Sequence, residues 1–92
     1  MAIGYNYRHV NTPGPVVLKP GPGVFHSVTI NKLGAKSTVV TVFDNTTAAG
    51  AIIGVVDTSF AVVTLEYDIA FQVGLTVSVD ALSTADMTFA FL

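Results

Sequence analysis

The chain has 92 residues, enough for a single domain, with four Lys and Arg against six Asp and Glu. Its net charge of −2 and the lack of a basic stripe argue against nucleic-acid binding, because four cations can neutralise few phosphates. The absence of cysteine excludes disulfides and thiolate metal sites.

The chain is unusually apolar for its length. It is 51% hydrophobic and only 11% charged, whereas ordinary globular domains are about 25% charged. A domain of this size buries roughly 60–65% of the surface that its unfolded chain exposes. One small core therefore leaves apolar surface uncovered, and with no disulfide available we expect self-association to stabilise the fold.

A membrane location is not expected from the hydrophobic pattern. The longest apolar stretch, residues 48–56, contains two glycines and is far shorter than the 18–20 or so residues that a spanning helix needs. Residues 1–15 lack the apolar central region of a signal peptide.

The first part of the chain is rich in proline and glycine. Residues 1–23 hold all four prolines and four of the eight glycines. Proline fixes φ and favours extended geometry in the residue before it. We therefore predict an extended N-terminal arm over residues 1–23, with a short edge strand at residues 16–19.

The remainder, residues 24–92, alternates apolar and polar side chains with a period of two. Residues 60–71, 75–80 and 86–91 each follow this pattern, which is typical of half-buried strands. Residues 37–43 and 52–56 are apolar on both faces, which indicates central or interface strands. Turn residues recur every 8–14 positions. The pattern predicts an all-β domain, a small antiparallel β-sandwich of about seven or eight strands.

The residues that could support catalysis are sparse. No serine lies in a nucleophile-elbow pattern. His26 shares a predicted strand face with Val24, Val28 and Ile30, which favours a core or interface histidine over a catalytic base. His9 either pairs with a carboxylate of a neighbouring chain or is solvated.

Two acidic segments offer further alternatives. Glu66 and Asp68 lie two apart on one strand, which suits a glycosidase pair less well than a solvated face or intersubunit salt bridges. Asp44 and Asn45 could supply oxygens to Ca²⁺, but their spacing favours an Asx-type turn. We predict no enzyme activity, no catalytic residue, no metal and no cofactor.

The order of the strand and turn segments in residues 24–92 resembles a known group of proteins. The resemblance is carried by residues 26–31 (HSVTIN), the turn entry at residues 43–44, the strand start at residues 74–77 (GLTV) and residues 85–88 (ADMT). Together these segments are similar to small β-sandwich virion proteins of tailed bacteriophages. Such proteins are often jelly-roll-like, and they serve as capsid decoration (cement) proteins or fibre components. The resemblance does not extend to residues 1–23.

The resemblance implies a structural role on the capsid surface of a virion made in the host cytoplasm. The protein would pack on the major capsid protein as a homo-oligomer, with a trimer favoured. The alternative is a fibre component or a receptor- or carbohydrate-binding module, in which Tyr5, Tyr7 and Tyr67 would stack on sugars. We expect these residues to contact other subunits or partners: Tyr5, Tyr7, Arg8, His9, Val16, Val17, Val40 and Val42.

Overall fold

The computed structural model describes residues 4–92, which form eight β-strands and no helix. Within these residues no helix has the length and hydropathy needed to cross a membrane. The strands are β1 (Asn6–Val10), β2 (Gly14–Pro20), β3 (Gly23–Lys32), β4 (Val39–Asp44), β5 (Ile52–Asp57), β6 (Thr64–Phe71), β7 (Gly74–Val79) and β8 (Asp86–Phe91).

The strands form two four-stranded sheets, and every pairing is antiparallel. The first sheet has the order β1-β8-β3-β6 and the second has the order β2-β7-β4-β5. The prediction of an all-β, antiparallel fold is confirmed, but residues 23–92 supply six of the eight strands and residues 6–20 supply the other two. Six of the seven connections between consecutive strands cross from one sheet to the other, and only β4 and β5 are consecutive strands in the same sheet.

The core lies between the two sheets and follows from the period of two. Directly opposed residues share a face of a sheet. In the second sheet the inward rows are Gly14, Val79, Val40 and Val56, followed by Val16, Val77, Val42 and Gly54. The first sheet contributes larger side chains, namely Phe25, Val28, Ile30, Met87 and Phe89, all of them buried.

Residues 4–23 belong to the sandwich and do not stand apart from it as an arm. β1 pairs with β8 in the first sheet, and β2 pairs with β7 in the second. The prolines are compatible with this arrangement because β2 is an edge strand, where a missing N–H removes no bond to a further strand. The edge strand predicted at residues 16–19 is confirmed as part of β2. Residues 1–3 of the predicted arm lie outside the described residues.

The segment between β5 and β6 differs from the prediction. The alternation over residues 60–71 indicated one strand or two strands joined by a bend, whereas β6 begins only at Thr64. The carboxylate of Asp57 accepts hydrogen bonds from the Ser59 N–H (2.8 Å) and the Ser59 hydroxyl (2.7 Å), which forms a turn directly after β5. Residues 58–63 are therefore a loop, and its apolar side chains face outward.

Candidate interaction surfaces

An exposed apolar surface runs along one side of the sandwich, where the edge strands β5 and β6 lie side by side. Phe60 is 81% exposed and Val62 is 61% exposed, although both are large and apolar. We call this surface the apolar edge, and it consists of Ile52, Val55, Phe60, Val62, Val63, Leu65 and Ile69. Since 18 consecutive positions supply all seven side chains, the surface is local in sequence as well as in space.

A cavity of about 460 Å³ opens within the apolar edge. Its wall includes Val55 of β5, Phe60 and Val63 of the loop, and Leu65 and Tyr67 of β6. A methyl group added to Gly54 would lie 2.6 Å from the Tyr67 hydroxyl oxygen, so the ring of Tyr67 covers the glycine and joins the two edge strands. The cavity is lined mainly by apolar side chains, which suits it to an apolar side chain of a partner.

Apart from Asp57 at the end of β5, the outward face of the second sheet is uncharged across its four strands. Two cross-strand rows point away from the core: Pro15, Ser78, Thr41 and Val55, followed by Val17, Thr76, Phe43 and Ile52. Val55 and Ile52 belong both to these rows and to the apolar edge. The apolar edge is thus continuous with a neutral sheet face.

The outward face of the first sheet is polar. Its rows are Tyr7, Ala90, Ser27 and Glu66, followed by His9, Thr88, Thr29 and Thr64. The hydroxyls of Thr29 and Thr64 are 2.9 Å apart and share a hydrogen bond across β3 and β6. The sandwich therefore has two unlike outer faces, one polar and one neutral.

His9 pairs within its own chain. Its Nε2 lies 2.6 Å from Asp86 Oδ1, and the Asn31 amide donates to the same carboxylate oxygen at 3.0 Å. The Asn31 hydrogen bond, followed by the hydrogen bond to His9, lowers the pKa of the Asp86 carboxyl. His9 therefore joins β1 to β8 of its own chain, while its side chain stays 49% exposed to solvent.

His26 lies on the polar outward face and not among the core residues Val28 and Ile30. The pairing of β3 is irregular between Phe25 and Ser27, and this bulge turns His26 outward. His26 Nδ1 lies 2.5 Å from Asp68 Oδ1. Asp68 has a φ of 51°, a left-handed conformation that aspartate tolerates.

Tyr5 stacks on the ring of His26, with centroids 4.0 Å apart and planes inclined by 7°. A residue expected to contact a neighbouring subunit therefore contacts its own sandwich. Tyr5 and His9 together fasten the start of the described chain to the outward face of the first sheet.

The remaining predicted contact residues divide into buried and exposed positions. Val40 and Val42 are 0% exposed in the core, so neither can reach a partner, and Val16 packs against the same core. Tyr7 is 74% exposed, and Arg8 and Val17 are also exposed. The two-sided apolar pattern of β4 reflects its central place in the second sheet and not an intersubunit contact.

Residues 60–63, the most exposed part of the apolar edge, were not among the predicted contact residues. The alternation over residues 60–71 placed Ala61 and Val63 on the inner face of a strand, which left Phe60 and Val62 on the face of Thr64 and Glu66. The Asp57-Thr58-Ser59 sequence was a turn signal that marks the break.

The acidic turn at Asp44 is structural. Its carboxylate accepts backbone N–H groups from Gln72 at 3.0 Å and Val73 at 2.8 Å. These bonds, that of Val73 foremost, lower the pKa of Asp44. The neighbouring Asn45 accepts the N–H of Thr46 on its side-chain oxygen and donates its side-chain amide to the Ala49 carbonyl at 2.9 Å. An Asx turn bonds the N–H two residues on, so Asn45 holds this turn by different hydrogen bonds. Residues 4–92 contain no cluster of three or more His, Asp or Glu side chains that could hold a metal ion.

Comparisons of the chain with protein-family models, with curated proteins and with solved structures found no significant match.

Proposed function

We propose that this chain is a structural assembly protein, most specifically a capsid decoration protein of a tailed bacteriophage, which acts by packing against copies of itself and against the major capsid protein. The observation that carries the proposal is the apolar edge. An enzyme or small-molecule binder has no need to leave seven large apolar side chains in solvent, whereas an assembly protein covers them with its partners.

The size of the apolar edge supports an interface. At exposed fractions between 38% and 81%, its side chains present on the order of 600 Å² of apolar surface, the upper end of the range for the largest patch on a monomer. A stable interface buries about 800 Å² on each partner. The apolar edge with its polar rim is therefore large enough to form the centre of such an interface.

The strand order supports a jelly roll, the architecture implied by the resemblance to phage virion proteins. A jelly roll is a double-sheet fold of eight strands built from two Greek keys. Here each sheet alternates strands from the first and second halves of the chain. The first sheet contains β1 and β3 with β8 and β6, and the second contains β2 and β4 with β7 and β5. Capsid proteins and lectins both use this architecture, so it is compatible with the proposal without deciding it.

Self-association is tested by changing the most exposed side chains of the apolar edge. The double substitution Phe60→Ser and Val62→Ser removes apolar area without disturbing the core, because both side chains lie in the loop before β6. We expect the unchanged protein to elute as an oligomer in size-exclusion chromatography with light scattering at micromolar concentration. We expect the variant to shift to the monomer mass.

Leu82, an equally exposed apolar residue in the loop between β7 and β8, provides a matched control. Leu82→Ser should leave the oligomer unchanged, since this residue lies outside the apolar edge. A monomer of 9.6 kDa for the unchanged protein would contradict self-association.

The virion location has its own test. Mass spectrometry and a reconstruction of purified particles that carry the gene would place the protein on the capsid surface, on the tail or nowhere in the particle. Presence on the capsid at regular positions is the expected result. Absence from the particle would contradict the virion role while leaving self-association intact.

A glycan-binding role on a fibre is the second candidate, and the polar outward face of the first sheet favours it. Tyr7 is exposed there in the same row as Ser27 and Glu66. Of the other two tyrosines, Tyr5 has one ring face stacked on His26, and Tyr67 packs on Phe25 and over Gly54, so Tyr7 is the most accessible of the three. Specific binding on a glycan array that is lost in Tyr7→Ser would establish this role instead.

A further inference from the structure

The charges of this chain are segregated along the sequence. All four Lys and Arg lie before residue 37, and all six Asp and Glu lie after residue 43. The fold converts part of this order into a spatial separation, because β1 and β2 form one side of the sandwich and β5 and β6 form the other, while Lys32 pairs with Asp86 between them. Four strands separate the two sides by about 14 Å between the outermost strand axes.

The side formed by β1 and β2, which we call the basic edge, holds Arg8 and Lys19 and no acidic residue. Tyr7 and Val17 add exposed apolar surface there. The opposite side carries the apolar edge together with Asp57, Glu66 and Asp68, all of them exposed, and residues 45–79 contain no Lys or Arg. The two sides are therefore opposite in charge, and both offer apolar contact.

We propose that the protein self-associates head to tail, with the apolar edge of one copy seated on the basic edge of the next. This inference rests on the self-association proposed above and names its geometry. Unlike charges would then meet at the rim while apolar side chains meet at the centre, the arrangement that fixes register and excludes wrong partners.

The alternative geometry is two-fold pairing of identical surfaces. Pairing two apolar edges would bring Asp57 and Glu66 of each copy together, with no Lys or Arg on β5, β6 or the loop between them to compensate, whereas Asp68 already pairs with His26. Pairing two basic edges would leave the apolar edge uncovered. A head-to-tail contact avoids both costs, and it closes into a ring when the rotation between copies permits. A trimeric decoration protein requires a contact of this kind.

A charge exchange tests the geometry. Arg8→Glu and Glu66→Lys each place like charges across the head-to-tail contact, and we expect each to weaken association by about tenfold. The double variant restores unlike charges with their signs reversed, so its association constant should return to within about threefold of the original. Lys36→Glu changes the net charge as Arg8→Glu does but lies in the loop after β3, so it should leave association unchanged.

The outcomes separate the two geometries. If Glu66→Lys strengthens association and Arg8→Glu has no effect, two apolar edges face each other and the head-to-tail proposal is wrong. It is also wrong if the double variant associates no better than the single ones. A monomeric unchanged protein would instead contradict the proposed self-association, which the chromatography detects before any variant is made.

A mixing experiment gives an independent readout. One variant, Phe60→Ser with Val62→Ser, has a disabled apolar edge, and the other, Tyr7→Ser with Arg8→Glu, has a disabled basic edge. Each should be monomeric alone. A one-to-one mixture should form a heterodimer and nothing larger, because one native contact remains between the two variants. No heterodimer would overturn the head-to-tail arrangement, provided that circular dichroism shows both variants folded.

Discussion

Gly34 occupies a position that only a glycine fits. A methyl group there would lie 2.7 Å from the Ser83 hydroxyl, 2.9 Å from that of Thr58 and 3.0 Å from that of Thr38. These hydroxyls form a buried hydrogen-bonded group, with Thr38 and Thr58 2.9 Å apart. The group joins the loops at one end of the sandwich, so its packing fixes how three loops meet.

We therefore expect Gly34→Ala to lower the free energy of unfolding by about 1–3 kcal/mol through overpacking. Urea denaturation followed by circular dichroism measures the change. Gly4→Ala is the matched control, because a methyl group at Gly4 meets nothing within 4 Å. If the two variants have equal free energies of unfolding, the hydroxyls of Thr38, Thr58 and Ser83 rearrange around the added methyl group without loss of stability.

Asp44 stabilises the fold in a way that depends on pH. Its pKa is lowered from 3.8 by the backbone N–H groups of Val73 and Gln72. A carboxyl whose pKa is lower in the folded state than in the unfolded state stabilises the fold. This stabilisation is fully present when the pH is above the unfolded-state pKa, and it is lost as the pH falls through the folded-state pKa. We expect Asp44→Asn to lower the melting temperature at pH 7 and to show a weaker loss of stability below about pH 4.

Thermal melts from pH 7 to pH 2 test this expectation. Glu66→Gln, made in the monomeric Phe60→Ser and Val62→Ser background, provides a control, since it removes an exposed carboxylate that caps no turn. If Asp44→Asn and the unchanged protein keep the same separation in melting temperature throughout the acid range, the carboxylate is not the source of the pH dependence.

Among the strands, β1 and β7 represent opposite extremes of burial. In β1 only Val10 is buried, and the strand pairs on one side with β8. β7 lies between β2 and β4, and five of its six residues are buried. Local opening needs less free energy where few apolar contacts hold a strand.

We expect the amides of β1 to exchange with deuterium at least about tenfold faster than those of β7. Hydrogen exchange followed by mass spectrometry or NMR measures both strands in one sample. Equal protection would mean that His9 and Tyr5 hold β1 as firmly as burial holds β7. Protection of β1 that rises with protein concentration would indicate that a neighbouring copy covers the basic edge.

The positions of most strands and the all-β class could be predicted from the local sequence, because apolar and polar side chains alternate along a half-buried strand. The loops after residues 32, 44, 57, 71 and 79 were all signalled by turn residues. Which strands pair with each other could not be predicted from the local sequence. Asn6 pairs with Phe91, and no local signal relates two residues that far apart.

The candidate surfaces were harder to predict than the fold. The bulge between Phe25 and Ser27 shifts the phase of the alternation within β3, so that Phe25 shares the core face with Val28 and Ile30 and His26 does not. Val40 and Val42 were predicted at an interface because a central strand and an interface strand have the same two-sided apolar pattern. The apolar edge became visible only once residues 58–63 were seen to leave β6.

At the scale of the whole molecule, unlike surfaces lie on different sides of a thin body, 36 × 33 × 17 Å along its principal axes. One broad face is polar, the other is neutral, and the two narrow sides differ in charge. A molecule of this shape can contact an underlying surface with one face and its neighbours with its sides. The proposed decoration role requires both kinds of contact at once.

The pairing of β1 with β8 has a consequence for how the protein is made. β8 is synthesised after the other seven strands, so the first sheet lacks its second strand until then, and β1 has no partner. The second sheet needs nothing beyond β7 and can form earlier. Insertion of β8 between β1 and β3 is then the closing step of folding, and contacts between such distant segments make this step slow.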